Sequence, residues 1–261
     1  MPQDPLRRVR RNSPEKSRPS IFWPLAGIIV PIVGVIAKIE IEGEENLPEE
    51  GPYVLAPNHY SEFDPLIIAA VVWRLGRAPR FMAKESLFRV PVLGWALRVT
   101  GMVPVARASS SVSARETLDT AAHLVERGSG VIVYPEGTLT RDPDLWPMRG
   151  KTGAARLALT GGIPLVPLAH WGAQRILPRY GRLSLLPLRK PVRVVIGPPV
   201  DVSRFADRVN QPSAHTEVTR ILMDDIAGLL AGIRGETAPE TRWNPSDHGQ
   251  HETGRLEDGA S

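Results

Sequence analysis

The sequence predicts an α/β fold in which a central mixed sheet is flanked by helices, preceded by an N-terminal helical segment that associates with a membrane. Three observations support this prediction. Short apolar runs typical of strands alternate with stretches whose apolar residues recur at helical spacing. Residues 21–37, IFWPLAGIIVPIVGVIA, carry no charge. The composition, 42% apolar and 23% charged residues in a chain of 261, is that of a protein with one substantial core.

The chain divides into four segments of different composition. Residues 1–20 are a basic arm that we expect to be disordered, and residues 21–37 are the membrane-associated helical segment. Residues 38–235 carry the alternating strand and helix patterns and form the α/β domain. Residues 236–261 contain almost no apolar side chains, so we expect a disordered tail there.

The uncharged segment 21–37 has 17 residues, the lower limit of the roughly 17–25 that span a bilayer. Its Pro24 and Pro31 weaken a spanning helix further. We therefore expect this segment to lie in one leaflet, with Trp23 at the interface and the basic arm held by anionic lipid. A buried core helix of the domain is the alternative.

The elements of the domain follow from local patterns. Asp64 followed by Pro65 is a helix-start signal, since Asp caps free amides and Pro fits the first helical position. The run VIVYP is apolar throughout, which is typical of a strand buried on both faces. We expect strands at 39–42, 53–56, 80–83, 103–106, 131–135, 163–169 and 192–196. We expect helices from residue 64 onward and at 91–99, 113–127, 152–160 and 218–233.

Cysteine usage and charge placement restrict the class of function. The chain has no cysteine, which excludes disulfides, a thiolate nucleophile and Cys-containing zinc sites. The net charge is only +4, but between residues 74 and 107 seven bases face the single acid Glu85. Such a zone suits an anionic ligand, although an ordinary solvated surface is equally compatible with any one of these residues. Nucleic-acid binding is disfavoured, because the zone lacks interleaved aromatic residues.

His59 and Asp64 are the candidate catalytic pair. In a continuous helix, residues five apart lie about 140° apart around the axis and would not face each other. If Asp64 caps the helix, however, His59 lies in the loop ahead of it and the carboxylate can reach the imidazole. Such an Asp fixes the tautomer of the ring and leaves the other ring nitrogen to take a proton from a hydroxyl. A capping Asp beside a hydrogen-bonded His is the alternative. A metal site would need a third ligand, and none is evident at a recognisable spacing.

Four blocks in fixed order give these residues a context. They are NHYSEFD at 58–64, GMVPVAR ending at Arg107, YPEGTLTR at 134–141 and the Pro-bounded apolar strand GIPLVPLA at 162–169. Together they resemble the glycerolipid acyltransferases, the family that includes the acyltransferases of 1-acylglycerol-3-phosphate, over roughly residues 40 to 200. The sequence departs from the family's PEGTR block at one position, where Leu139 replaces the arginine and Arg141 follows two places later.

The resemblance implies a role for each matched residue. His59 would be the general base that activates an acceptor hydroxyl, and Asp64 would support the charge that develops on it. Backbone amides near His59 or around Gly137 would stabilise the oxyanion. The substrate-binding residues implied are Asn58, Lys84, Arg107, Glu136, Gly137, Thr138, Arg141 and Lys151. The two arginines would bind the acceptor's phosphate, and the two lysines would add positive charge. Glu136 would orient an arginine or accept a hydrogen bond from an acceptor hydroxyl.

The resemblance also implies the substrates. The expected reaction moves a fatty acyl group from acyl-CoA or acyl carrier protein to the free hydroxyl of 1-acylglycerol-3-phosphate, giving phosphatidic acid. We expect no cofactor beyond the thioester co-substrate and no metal. The expected partners are the lysophospholipid, the thioester donor and a membrane surface with anionic lipid at the inner face of the cell membrane, without nucleic acid. The alternatives are another lysolipid acceptor, a metal-dependent phosphohydrolase and a non-catalytic peripheral lipid-binding protein.

Overall fold

The computed structural model describes residues 20–91, 93–105 and 126–251, together with Lys16 and His123, except for the side chains of residues 83, 84, 93 and 105. Among these residues the strands are β1 (Ala37–Glu42), β2 (Tyr53–Pro57), β3 (Met82–Lys84), β4 (Val103–Val105), β5 (Gly130–Ile132), β6 (Leu165–Trp171) and β7 (Lys190–Ile196). The helices are α1 (Phe22–Ile36), α2 (Asp64–Arg74), α3 (Leu93–Val99), α4 (Gly153–Gly161) and α5 (Pro212–Arg234).

A five-stranded mixed sheet forms the centre of the fold, in the order β1-β7-β6-β2-β5. Neighbouring strands run parallel except for the pair β6 and β7, which is antiparallel. Strands β3 and β4 form a separate parallel pair, which approaches the β5 edge through a bridge between Phe81 and Ile132. The predicted α/β fold with a central mixed sheet is confirmed.

Helices cover both faces of this sheet, because each central strand is apolar on both sides. In β2, Tyr53 and Leu55 join the core shared with α1 and α2, whereas Val54 and Ala56 join the core shared with α4 and α5. All five residues of β2 are buried. A strand buried on both faces is typical of a sheet between two helical layers. The buried strand β2 thereby fixes the position of the loop that follows Pro57 at its carboxyl end.

The predicted elements are present where the structure describes them, and their ends agree within a few residues except that α5 begins at Pro212, six residues before the predicted start at 218. The helix beginning at Asp64 is present with Pro65 in its first turn. The residue before the helix is Phe63, however, and no side chain caps the helix amides. Asp64 is therefore the first helical residue rather than the cap, and its carboxylate is engaged elsewhere. Most of the helix predicted at 113–127 lies outside the described residues, as does nearly all of the basic arm.

Helix α1 has one face in the core and one on the surface. Phe22 and Val33 are buried, and Val33 packs with α2 and the sheet. Trp23, Ile28, Ile32 and Val35 are exposed. Among the described residues, no helix combines the length and apolar character needed to cross a membrane.

The tail differs from the sequence-based prediction of disorder from residue 236. Residues 236–251 lie against the domain: the Arg149 N–H donates to the Trp243 carbonyl at 2.9 Å, and Pro245 is buried. The Trp243 and His248 rings stack with centroids 3.5 Å apart. The prediction is wrong for residues 236–251 because composition averages over the segment and does not report individual contacts, such as the burial of Pro245 and the ion pair between Arg242 and Asp224. Residues 252–261 lie outside the described part.

Candidate active site

The loop between β2 and α2 brings His59 and Asp64 together. The His59 Nδ1 lies 3.1 Å from Asp64 Oδ2, so the proposed pair is in hydrogen-bonding contact. Asp64 is completely buried, whereas the His59 side chain is 16% exposed. With Nδ1–H donating to the carboxylate, Nε2 is the ring nitrogen left to accept a proton. The alternative of a conventional helix-capping Asp does not apply, since no side chain caps this helix.

The same carboxylate oxygen shapes the loop. Asp64 Oδ2 also accepts the backbone N–H groups of Tyr60 and Ser61, each at 2.8 Å. Three donors therefore converge on one oxygen, and the chain turns around it tightly enough to return the imidazole to the carboxylate. The Ser61 hydroxyl closes the turn by accepting the Phe63 N–H at 3.1 Å and donating to the Leu177 carbonyl at 2.6 Å.

A buried network holds the loop from the β6 side. The Asn58 amide pairs with the His170 backbone: its Oδ1 accepts the His170 N–H at 2.9 Å and its Nδ2 donates to the His170 carbonyl at 3.2 Å. Burial lowers the pKa of His170, so its neutral ring accepts the Tyr60 hydroxyl at Nδ1 and donates from Nε2 to the Asn58 carbonyl. Asn58 is 1% exposed. Its side chain thus braces the loop against β6.

The turn after β5 holds His59 from the opposite side. Glu136 Oε1 accepts the His59 N–H at 3.0 Å, and Oε2 accepts the Met148 N–H at 3.0 Å. The Thr140 N–H donates to the His59 carbonyl at 2.6 Å. Both carboxyl oxygens of Glu136 thus accept backbone N–H groups, and the side chain ties the loop at His59 to the segment at Met148. Burial raises the pKa of Glu136 to about 8.

Tyr134 packs against the face of the His59 imidazole. The Tyr134 and His59 rings stack at 4.0 Å between centroids, with an angle of 22° between planes. This contact fixes the ring plane, while Asp64 fixes its rotation. Sequence reasoning missed Tyr134, although its position directly before the Pro135-Glu136-Gly137 turn was a signal that it would lie near the site.

The Gly137 turn lies on the exposed side of Glu136. Gly137 is exposed, Thr138 is partly buried, and the Gly137 φ of +71° requires a residue without a Cβ for low strain. The Lys151 amine would stand 3.5 Å from a Cβ at Gly137, and the Lys151 N–H donates to the Pro135 carbonyl at 2.7 Å. Lys151 therefore lies beside the turn. A cavity opens here, and it is lined by Glu136, Met148, Arg149, Gly150, Lys151, Thr152, Asn244 and Pro245.

Of the basic residues that the sequence suggested for phosphate binding, the structure describes the side chains of Arg141 and Lys151 but not those of Arg107 and Lys84. Arg141 is 2% exposed. Its neighbours Thr140 and Asp142 both offer their carbonyls to the half-buried Arg179, with the Asp142 contact at 2.9 Å. Arg179 is a basic residue near the site that the sequence did not indicate, because it follows the fourth block in a stretch without a motif. Arg107 and the side chain of Lys84 lie outside the described part of the chain, although the Lys84 backbone belongs to β3.

Backbone amides next to His59 are committed to other acceptors. The N–H groups of His59, Tyr60 and Ser61 go to Glu136 and Asp64, and the Asn58 N–H donates to the Leu168 carbonyl. The Gly137 N–H donates to the Tyr134 carbonyl. None of these five amides is therefore free to bind an oxyanion in this conformation. The amides next to His59 do not form an oxyanion site here.

Comparison with known proteins identifies the class. The sequence model of the acyltransferase family matches residues 38–171, slightly more than half of the chain, and the chain belongs to this family. The matched range contains His59, Asp64 and Glu136, and the resemblance drawn from the four sequence blocks is confirmed.

Two relatives of this chain are both named 1-acyl-sn-glycerol-3-phosphate acyltransferases. The chain is 35% identical over 164 residues to the chloroplastic 1-acyl-sn-glycerol-3-phosphate acyltransferase BAT2 of Brassica napus, covering 62% of this chain and 45% of the relative. It is 25% identical over 197 residues to the 1-acyl-sn-glycerol-3-phosphate acyltransferase of Escherichia coli, covering 74% of this chain and 75% of the relative. The chain thus spans less than half of the plant relative.

A solved structure supports the fold. The crystal structure of the 1-acyl-sn-glycerophosphate acyltransferase of Thermotoga maritima superposes with a TM-score of 0.57 at 24% identity, covering 80% of this chain and 75% of that one. At this identity the likeness establishes the shared α/β architecture.

Proposed function

We propose that this protein transfers a fatty acyl group from a thioester to the free hydroxyl of 1-acylglycerol-3-phosphate, with His59 as general base. The observation that carries the proposal is the 3.1 Å contact between His59 Nδ1 and the fully buried Asp64, with the imidazole itself partly open to solvent. The family and the names of the relatives support the acyl transfer and the acceptor.

The geometry supports a direct transfer. His59 Nε2 takes the proton of the acceptor hydroxyl as its oxygen attacks the thioester carbonyl carbon. The tetrahedral intermediate then collapses, the carbon–sulfur bond breaks, and the imidazolium returns the proton to the departing thiolate. Asp64 stabilises the imidazolium through the hydrogen bond at Nδ1. No acyl-enzyme, metal or further cofactor is needed for this scheme.

Oxyanion stabilisation in this scheme falls to the Gly137 turn. The Thr138 and Leu139 amides donate to no acceptor among the described residues, and the turn is held next to His59 by the Thr140 N–H. We assign the acceptor's phosphate to Arg107 and Arg141, with Lys84 and Lys151 as additional charges. Leu139, which stands at the family's arginine position, is 6% exposed and apolar, so it cannot contribute.

The membrane part of the proposal rests on α1. Its exposed stripe of Trp23, Ile28, Ile32 and Val35 suits a helix lying in the interface of one leaflet. The basic arm ahead of it suits anionic lipid. A position at the inner face of the cell membrane would place the site next to both the lysophospholipid and a cytosolic thioester.

Product analysis tests the proposal. The purified protein is incubated with oleoyl-CoA or oleoyl acyl carrier protein and a panel of lysophospholipids, and the products are identified by mass spectrometry. We expect phosphatidic acid from lysophosphatidic acid, and the comparison of the two thioesters identifies the donor. Acylation of lysophosphatidylcholine or lysophosphatidylethanolamine alone would redirect the acceptor assignment, and hydrolysis of every thioester without transfer would contradict the proposal.

A further inference from the structure

A leucine-rich loop stands out from the surface between β6 and β7. In residues 181–189, here called the leucine loop, every residue is exposed. Its four leucines are Leu183 (55% exposed), Leu185 (42%), Leu186 (77%) and Leu188 (50%). Single exposed leucines are ordinary on protein surfaces, whereas four within six residues make a contiguous apolar patch that normally marks an interaction site.

The leucine loop is held in this exposed position by hydrogen bonds to the residues on either side of it. The Ser184 N–H donates to the Ile176 carbonyl at 2.7 Å. The Lys190 amine, on a residue only 7% exposed, donates to the carbonyls of Arg175 and Ser184, each at 2.6 Å, and to the Ser184 hydroxyl at 2.8 Å. The three acceptors compensate the burial of the ammonium group, and these charge-assisted hydrogen bonds fix the start of the loop. The chain thus presents the leucines to the outside through defined contacts.

The leucine loop is continuous with the apolar stripe of α1. Ile28, Ile32 and Val35 are spaced four and three residues apart and so share one face of the helix. They are 62%, 54% and 53% exposed. The Arg189 N–H, at the end of the loop, donates to the Val35 carbonyl at 3.0 Å. The stripe and the loop therefore meet and form one apolar surface from two distant parts of the sequence.

The segment that carries the leucine loop has charge of one sign. Residues 175–200 contain six bases and no acid. Arg175, Arg182 and Arg189 are exposed, and none of the three forms an ion pair with a carboxylate in the described part of the chain. Apolar side chains rimmed by arginines match a bilayer with anionic headgroups, because the leucines enter the acyl region while the guanidinium groups stay at the phosphates.

We infer that the leucine loop inserts into an anionic lipid bilayer together with the exposed face of α1, as a second insertion element. This inference rests on the proposed function, since a lipid acceptor resides in such a bilayer. Insertion of the leucine loop would also fix the height above the membrane of residues 58–63, the loop between β2 and α2 that carries His59 and is here called the catalytic loop. The chain that leads into the leucine loop contacts the catalytic loop directly, because the Leu177 carbonyl accepts the Ser61 hydroxyl and the Tyr180 N–H donates to Glu62 Oε1 at 3.2 Å.

A single label tests insertion directly, because the chain has no native cysteine. Leu186→Cys in the full chain is labelled with an environment-sensitive NBD group and mixed with vesicles of phosphatidylcholine and phosphatidylglycerol. We expect a blue-shifted emission and protection from an aqueous quencher. The matched control is Arg220→Cys on the exposed side of α5, where the label should stay in water. An unshifted, fully quenched label at position 186 on vesicles that bind the protein would overturn the inference.

Binding measurements test the contribution of the leucines. In vesicle flotation, Leu185→Asp combined with Leu186→Asp should lower the partition coefficient by about tenfold or more, since a charge replaces leucines that would be buried. Leu87→Asp, at a residue 40% exposed beyond the opposite edge of the sheet, is the control and should change it little. Equal partition coefficients of the double variant and the wild type would contradict the inference. A finding that the wild type is a dimer and the double variant a monomer, with equal vesicle binding, would also contradict it, because the leucines would then form a protein interface.

Activity on a short-chain, soluble lysophosphatidic acid separates this inference from the proposed function. The double variant should retain wild-type turnover on that acceptor and lose turnover on a long-chain acceptor embedded in vesicles. If the wild type acylates the soluble acceptor while the label at position 186 stays in water, the inference fails and the proposed function stands. If the label inserts but no acceptor is acylated, the proposed function fails, whereas the inferred insertion of the leucine loop into the bilayer is upheld.

Discussion

Replacing Glu136 by glutamine should change how the stability of the protein depends on pH. Glu136 is 1% exposed, and burial raises its pKa from 4.5 to about 8. Between these two values the folded protein keeps a proton that the unfolded chain has released, so the free energy of unfolding falls as the pH rises through this range. From about pH 5.5 to about pH 8.5 this single group should lower it by about 3 kcal/mol.

The glutamine variant removes the titration and one hydrogen bond. A side-chain amide has only one acceptor oxygen, so either the His59 N–H or the Met148 N–H would face an NH₂ group. An unsatisfied buried donor costs about 1–3 kcal/mol. At about pH 5.5 the wild type should therefore be the more stable protein, and at about pH 8.5 the difference should vanish or change sign.

Urea unfolding of both proteins at the two pH values measures this difference. Other titrating groups contribute to both proteins and cancel in the comparison. Glu240→Gln, at an exposed carboxyl, is the matched control and should follow the wild type at both values. A stability difference between the wild type and Glu136→Gln that stays constant across this pH range would refute the account of Glu136 as a buried, protonated support of the His59 backbone.

Three further substitutions test the proposed chemistry. Asp64→Asn should lower kcat by about 10²-fold or more with a smaller change in KM, measured with lysophosphatidic acid and oleoyl-CoA, because the charge that supports the imidazolium is lost. Unchanged kcat would exclude that support. Arg107→Ala and Arg141→Ala should each lower kcat/KM by about tenfold to 150-fold on lysophosphatidic acid, mainly through KM, and little on an acceptor without phosphate. Equal losses on both acceptors would make these arginines structural.

Local patterns in the sequence were sufficient to predict most of the fold. Apolar runs located the strands of the central sheet, and Asp64-Pro65 located the start of α2. The contact between His59 and Asp64 was also predictable, because both residues belong to one short loop whose helix start restricts where the chain can turn. Interactions within six residues leave a signal in the local sequence.

Long-range contacts left no such signal. Glu136 lies 77 residues from His59, and its motif suggested substrate binding where the structure shows support of the loop backbone. Asn58 likewise pairs with His170, 112 residues away. Arg179 joins the 140–142 segment through backbone carbonyls, which accept from any nearby donor and carry no sequence signature. The ordered part of the tail depends on how Trp243 and Pro245 pack, which composition does not report.

The central claim is that His59 is the base. Turnover of His59→Ala, with lysophosphatidic acid and oleoyl-CoA, tests it most directly, with circular dichroism as a check of the fold. Since the His59 backbone bonds to Glu136 and Thr140 do not involve the imidazole, the variant should keep the wild-type spectrum and lose at least about 10²-fold in kcat. A folded His59→Ala protein with near wild-type turnover would contradict the mechanism.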